Sequence, residues 1–269
     1  NWRMKSPSAP QPRMDGDFLS LLPEHPLSRV LTSDSQALAD HQIEATTVLA
    51  FHYRQGVLMA GDHRATADNL IFSDSVDKIL PLDSDSLMAI AGSPAVALEM
   101  ARTLETSFEF YRRSQLQTMS LQAKTRALSQ LLKENIPMVM QGIGTVVPIF
   151  AGVDYSLPKP APTIHFYDPL GAQFKTTSFA SSGSGAGNVK SILAFQERWG
   201  SPAPHKMDLK QATTFALRLL TTAAQFDSAT GGVDPRLNRY ASVYSLRPGE
   251  VRQVTDEEQA QWWGKEKKA

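Results

Sequence analysis

The chain of 269 residues contains no cysteine. Disulfides, thiolate nucleophiles and cysteine-held metals are therefore excluded, and a reducing compartment is compatible with it. Net charge is also missing: Lys plus Arg and Asp plus Glu are both 27. Such a balance gives no field to gather bulk nucleic acid or an anionic membrane. Long apolar runs are absent. None approaches the roughly 18 residues of a membrane span. Near the N-terminus the best run, 18–22, is broken by Ser20 and falls short of a signal-peptide core of about 7–15 residues. These absences predict a cytoplasmic protein that binds neither nucleic acid nor membrane. The six histidines, His25, His41, His52, His63, His165 and His205, form no HExxH pair, so zinc is not expected. "GSGAGN" has Asn188 where a dinucleotide loop needs its third glycine. Ser182 stands where a GxSxG elbow around Ser184 needs glycine. With no Walker motif either, no cofactor and no metal is expected.

What is present is an ordinary globular composition, 42% hydrophobic and 20% charged, in a length suited to one large domain or two small ones. Residues 1–45 stand apart. They carry Pro7, Pro10, Pro12, Pro23 and Pro26 among polar residues with little periodicity, and cannot bury enough apolar surface to offset the entropy of ordering. From Thr46 the pattern changes. Strands are predicted over 46–53, 57–60, 78–82 and 86–91. A helix is predicted over 95–113, where Leu98, Met100, Ala101, Leu104, Phe108 and Tyr111 recur at helical spacing, and a second from an N-cap at Ser120 to Glu134. Strands return over 146–153, 163–167 and 174–178, helices over 187–199 and 209–224, and a last strand over 240–246. Segregated runs argue against a doubly wound parallel sheet. They predict an α+β fold, a four-layer αββα sandwich of two stacked antiparallel sheets with helices on both outer faces. Residues 251–269 read as a charged C-terminal tail, loose from Thr255 onward, whose obvious anchors are Trp262 and Trp263.

The stretch "EATTVLAFHYRQGVLMAGDHRAT", Glu44 to Thr66, carries the candidate chemistry. A threonine hydroxyl becomes a nucleophile when a nearby base takes its proton. The most economical base is the residue's own α-amine, freed by a cut just before it, with a pKa of about 7.7–8.0 that a neighbouring cation pushes down. Residues 1–45 would then be a removable prosegment. Alone, Thr46 and Thr47 read as β-branched strand residues, Asp62 and Arg64 as a solvated turn, and Ser184 and Asp227 as turn or helix-end residues.

The order of motifs changes that balance. "TTVLAFHYRQGVLMAGDHRAT" resembles the start of a mature 20S proteasome β subunit. The resemblance continues through "DKI" at 77–79, "IAGSPAVALEMAR" at 90–102, "SGSG" at 182–185 and "FDSATGG" at 226–232, covering most of the chain from Thr46 to about Leu246. The last motif is most similar to the bacterial, actinobacterial-type subunits. In that family the nucleophilic threonine opens the mature chain, and an Asp, an Arg and a Lys follow 16, 18 and 32 residues on. Here those offsets fall on Asp62, Arg64 and Lys78.

The resemblance implies a threonine endopeptidase of N-terminal-nucleophile type made as a precursor, with 46–250 as its hydrolase domain. It implies that Lys78 lowers the pKa of the Thr46 hydroxyl, that Asp62 holds Lys78 charged and oriented, and that Arg64 supports that network. Gly92 matches the glycine whose N–H stabilises the oxyanion. Ser184, Asp227 and Thr230 match a cluster ordering the amine and a water, with Thr230 where the family often has Ser. The pocket for the residue before the cut maps onto Ala65, Val76, Leu80, Ile90, Pro94 and Leu98, with Thr66 beside them as a substrate contact. The six are apolar, so cleavage after apolar residues is expected. Pro94 replaces a position that is usually small, and Ala45, before the processing site, replaces a near-universal glycine. A Cβ there restricts the backbone and is expected to slow self-cleavage. The family's partners are other β subunits in a heptameric ring, α subunits, an ATPase ring regulator and unfolded, in some systems tagged, polypeptides. Two rivals are a silent structural ring subunit and the shorter two-ring relative that works with a heat-shock unfoldase.

Overall fold

The computed structural model describes residues 47–67, 70–73, 76–176 and 178–266, without the side chains of 65–73 and 265–266. The expected prosegment, Ala45 and Thr46 lie outside the described residues. In chain order the elements are β1 (Thr47–Tyr53), β2 (Gly56–Gly61), the hairpin β3 (Ala65–Ala67) and β4 (Leu70–Ser73), then β5 (Ile79–Asp83) and β6 (Ser86–Ala89). Helices α1 (Pro94–Gln115), α2 (Leu121–Glu134) and α3 (Ile136–Met140) follow. Strands β7 (Ile149–Asp154), β8 (Ala161–Tyr167), β9 (Gln173–Thr176) and β10 (Phe179–Gly183) lead to α4 (Ala186–Trp199) and α5 (Leu209–Ala223). Strands β11 (Ser242–Arg247) and β12 (Glu250–Gln253) and helix α6 (Asp256–Glu266) close the fold.

Two five-stranded antiparallel sheets result, ordered β10-β1-β2-β11-β12 and β5-β6-β7-β8-β9. Strand alternation builds the layers. On β1, Val48 and Ala50 face the second sheet, where they meet Ile79, Leu87, Ile149 and Ile164 in the central core. Leu49, Phe51 and Tyr53 face the other way, against Val189 and Leu193 of α4 and Ala216, Leu217 and Leu220 of α5. The outer face of the second sheet, with Met88, Ile90 and Phe150, is covered by Met100, Leu104 and Phe108 of α1 and Leu128 and Leu132 of α2. This is the αββα sandwich that the element order predicts.

Helices α1 and α2 match the expected spans closely, and the Ser120 side chain accepts the Ala123 N–H as an N-cap should. Other boundaries differ. The strand expected over 174–178 is β9, which ends at Thr176, and an unexpected strand, β10, follows in the other sheet. Val146 forms only an isolated bridge to Gly92, ahead of β7. Of the C-terminal tail 251–269, the part from Thr255 onward, expected to be loose, instead forms α6 over its described residues, and β12 precedes it. The reason is a buried amide: Gln259, 1% exposed, donates to the carbonyls of Ala241 and Val254, both at 2.9 Å, and accepts the Ala241 N–H. Ala260, Trp262 and Trp263 then pack on the core beneath.

Candidate active site

The β1–β2 ladder brings the start of β1 beside the residue that follows β2. Asp62 N–H donates to the Thr47 carbonyl at 3.3 Å, and Thr47 N–H returns a bond to Asp62 Oδ1 at 3.0 Å. Lys78 precedes β5 and is tied to the end of β6 by the Ile90 N–H on its carbonyl at 2.9 Å. It leads into the other sheet, and from there its side chain reaches Asp62. Its Nζ lies 2.8 Å from Asp62 Oδ1 and 2.5 Å from the Arg64 carbonyl. Asp62 Oδ2 accepts the N–H groups of Arg64 (3.0 Å) and Gly231 (2.8 Å). Asp62 and Lys78 are each 1% exposed. A buried carboxylate has about four acceptor directions, and here four donors fill them. Arg64 turns outward and donates from Nη1 to the carbonyls of Ser228 and Thr230. Between Asp62 and Arg64, His63 faces away and donates through Nδ1 to the Val76 carbonyl at 3.3 Å.

Burial is the largest influence on the Lys78 ammonium and lowers its pKa. The Asp62 charge and hydrogen bond oppose that, Arg64 adds to the lowering, and Asp227 opposes it weakly. The cation is thus held by Asp62 against the cost of desolvation.

A second carboxylate organises the loop after α5. Asp227 N–H still donates to the Ala223 carbonyl of the helix, and Asp227 Oδ1 accepts the Ala229 N–H. Asp227 Oδ2 accepts the hydroxyls of Ser184 (2.6 Å) and Thr230 (2.5 Å). Thr230 lies 2.6 Å from the Thr47 hydroxyl, which also accepts the Gly185 N–H at 3.0 Å. Thr47 and Thr230 are both fully buried. Glycine is required at 185, because a Cβ would stand 2.5 Å from Thr47 Oγ1 and 2.8 Å from Thr230 Oγ1.

Gly92 has φ +98°, and a Cβ there would lie 2.1 Å from the Thr145 carbonyl oxygen. Its neighbours carry the bridge to 145–147, through Ser93 N–H to Thr145 O (2.8 Å) and Val147 N–H to Ala91 O (2.9 Å). The pairing therefore does not consume the Gly92 N–H. Helix α1 begins two residues on at Pro94, which is half-buried, as are Val76, Leu80 and Leu98. Leu80 and Leu98 pack on the cluster that contains Ile90, and at 3% exposure Ile90 can only form a floor for a ligand there. Ala65 and Thr66 sit on β3, and their side chains lie outside the described residues.

The structure therefore brings Asp62, Arg64 and Lys78 together around the start of β1, with Ser184, Asp227 and Thr230 on its other side. Sequence reasoning missed three participants: Thr47, Gly185 and Gly231. All three lie inside motifs already conspicuous, "TTV", "SGSG" and "SATGG". Only their backbone and hydroxyl partners, far away in the chain, reveal their part. Among the described residues, no group of three or more His, Asp or Glu is placed to hold a metal ion, and no helix is long and apolar enough to cross a membrane.

Fold and site together define a class, a four-layer hydrolase sandwich with a buried lysine–aspartate pair and threonine hydroxyls at the head of its first strand. The profile of the family described as "Proteasome subunit" matches residues 43–234. "Proteasome subunit beta" of Acidothermus cellulolyticus is 35% identical over 214 residues, 79% of this chain and 71% of the relative. Proteins of the same description from Stackebrandtia nassauensis (33%, 82% of this chain and 77% of the relative) and Acidimicrobium ferrooxidans (33%, 89% and 85%) are also similar. The chain belongs to the proteasome subunit family. Within it, it is a β subunit of the bacterial type, a threonine-type peptidase subunit of a core particle, and it assembles with other proteasome subunits in a ring.

Proposed function

We propose that Thr46 is the nucleophile, exposed when residues 1–45 are removed by cleavage of the Ala45–Thr46 bond. The observation that carries this is the Asp62–Lys78 pair at the head of β1. Residue 46 is attached to the Thr47 nitrogen, which is bonded to the same Asp62 oxygen that holds Lys78. An ammonium has three N–H groups. Two of those on Lys78 are spent on Asp62 and the Arg64 carbonyl, and the third has no partner among the described residues. A threonine oxygen at position 46 is its natural acceptor, and a cation there stabilises the alkoxide.

In this reading the Thr46 amine takes the hydroxyl proton, and Oγ1 adds to a peptide carbonyl. The Gly92 N–H, left free by the bridge, holds the oxyanion, a contribution of order ~3 kcal/mol for one such donor. Collapse releases the C-terminal peptide as its new amine takes the proton, and leaves an ester on Thr46. Water, deprotonated by the same amine, hydrolyses that ester and restores the hydroxyl. Arg64 braces the loop that carries Asp62, and Ser184, Asp227 and Thr230 order the amine and the water. The apolar residues Val76, Leu80, Pro94 and Leu98, over Ile90 and with Ala65 and Thr66 alongside, favour cleavage after large apolar side chains. Heptameric β rings, flanking α subunits, an ATPase regulator, unfolded or tagged polypeptide substrates and a cytoplasmic location complete the reading.

The test is intact mass together with peptide hydrolysis on the purified particle. A mature chain beginning at Thr46, and loss of both processing and hydrolysis in Thr46→Ala, are expected. Hydrolysis retained by Thr46→Ala overturns the assignment.

A further inference from the structure

Thr47 is bonded into both carboxylate clusters, by its backbone to one and by its hydroxyl to the other. Its backbone N–H donates to Asp62 Oδ1, the oxygen that also holds Lys78. Its hydroxyl lies within bonding distance of Thr230 Oγ1 and accepts the Gly185 N–H. The direction of these bonds follows from their ends. Asp227 can only accept, so the Ser184 and Thr230 hydroxyls both donate to it. The Thr230 proton being committed, the Thr47 hydroxyl must donate to Thr230. The Gly185 N–H in turn must donate to Thr47. The result is a one-way chain, Gly185 to Thr47 to Thr230 to Asp227, with every proton placed and one lone pair of the Thr230 oxygen left over. Both threonines are fully buried.

We propose that the Thr47 hydroxyl is a positioning group for the peptidase reaction. It ties the Ser184–Asp227–Thr230 cluster to the head of β1, and so fixes where the residue 46 amine stands relative to Asp62 and Lys78. This rests on the reading that Thr46 is the nucleophile. Thr47 touches no reacting atom. Its backbone bond sets the distance from residue 46 to the Lys78 cation, and its hydroxyl sets the second cluster against the same peptide. Removing the hydroxyl leaves the Asp62–Lys78 half intact and unhooks the other half. The acyl-transfer pocket is unchanged, while the base that must be neutral and aimed is no longer held.

The experiment compares Thr47→Val and Thr47→Ser in the assembled particle. Valine keeps the β-branched shape and the strand preference but has no hydroxyl, whereas serine keeps the hydroxyl. Loss of a buried hydrogen-bond partner predicts a fall in kcat of about ten- to a hundredfold for Thr47→Val. KM should stay within about twofold, and the acidic limb of the kcat/KM profile should move. Thr47→Ser should stay within about threefold of the parent in kcat and keep its pH profile. Combining Thr47→Val with Thr230→Val should cost little more than the worse single change, since both break one chain. Valine equal to the parent, serine as poor as valine, or strictly additive losses would each overturn the inference. Should Thr47→Val fail to assemble, Thr47→Cys, with its weak S–H donor, takes its place, and parental activity there overturns it. A β-lactone probe separates this from failure of the underlying reading. An adduct mapped away from residue 46 in the parent brings down the nucleophile assignment. An adduct on Thr46 with unaltered kinetics in Thr47→Val brings down the positioning role alone.

Discussion

Asp62→Asn is the substitution whose outcome the geometry fixes most tightly. The carboxylate accepts from Thr47 N–H and Lys78 Nζ on one oxygen and from Arg64 N–H and Gly231 N–H on the other. An asparagine has one acceptor oxygen and an NH2 group. In either orientation its NH2 faces two donors and leaves them unsatisfied. It also leaves the Lys78 ammonium, 1% exposed, without its counter-charge. Breaking one partner of such a buried pair costs about 3–5 kcal/mol. At roughly 2–4 °C per kcal/mol for a domain of about this size, melting should fall by about 6–20 °C. Burial already lowers the Lys78 pKa and Asp62 opposes that, so the substitution lowers it further. The unfolded chain then binds more protons than the folded one over a wider pH range, and stability of the variant rises with pH in that range. The deficit should therefore shrink as pH rises toward the ordinary lysine range. Adding Lys78→Met removes the stranded cation and should recover part of the lost stability while hydrolysis stays absent. Thermal melting of parent, single and double variants in one assembly state, at several pH values, decides the matter. A single variant within about 2 °C of the parent at pH 7, or a double variant less stable than the single, would refute the reasoning.

Further expectations follow from the same site. Because burial lowers the Lys78 pKa, the cation is lost below the ordinary lysine value. The alkaline limb of kcat/KM should therefore lie below about 10.4, and a limb at or above that value would separate Lys78 from the reaction. Fluorogenic peptides varied only at the residue before the cut should be cleaved after Leu, Phe or Tyr, since an apolar pocket gains about 25 cal/mol per Å² it covers and strands a charge; preference for Arg or Glu would refute the pocket. Pro94 has no N–H to offer a bound peptide, so Pro94→Ala should raise turnover in the same panel if an extended substrate pairs there, and unchanged turnover removes that role. Ala45→Gly should speed prosegment removal, read as a time course of intact mass on assembling particles, with equal rates showing that the methyl group is tolerated.

How far the sequence led depended on how far apart the partners are. Helices α1 and α2 were legible because their apolar residues recur every three or four positions, and the Ser120 cap sits three residues from its donor. Asp62, Arg64 and Lys78 were legible through their offsets, which the β2 end and the β5 start convert into contact. The C-terminal helix was not, because its charged sequence is held by Gln259 on Ala241, 18 residues back. The hairpin of β3 and β4 and the five-residue α3 are too short for periodicity to register. Thr47 read as a strand residue, which it also is. Its bond to Thr230 spans 183 residues, and no local pattern encodes it.

The four donors on Asp62 come from the head of β1, the loop after β2, the start of β5 and the loop after α5. Gly231 lies 169 residues along the chain from Asp62, and closing so long a loop is slow, its entropic cost falling before any bond rewards it. The carboxylate thus acts as a timing device. A chain still emerging, or one with only one sheet docked, offers Lys78 no partner and has no organised hydrolytic centre. A protein that carries a peptidase within it is safest when that centre cannot form early, and the Asp62–Lys78 pair makes the meeting of the two sheets a condition that precedes any cleavage.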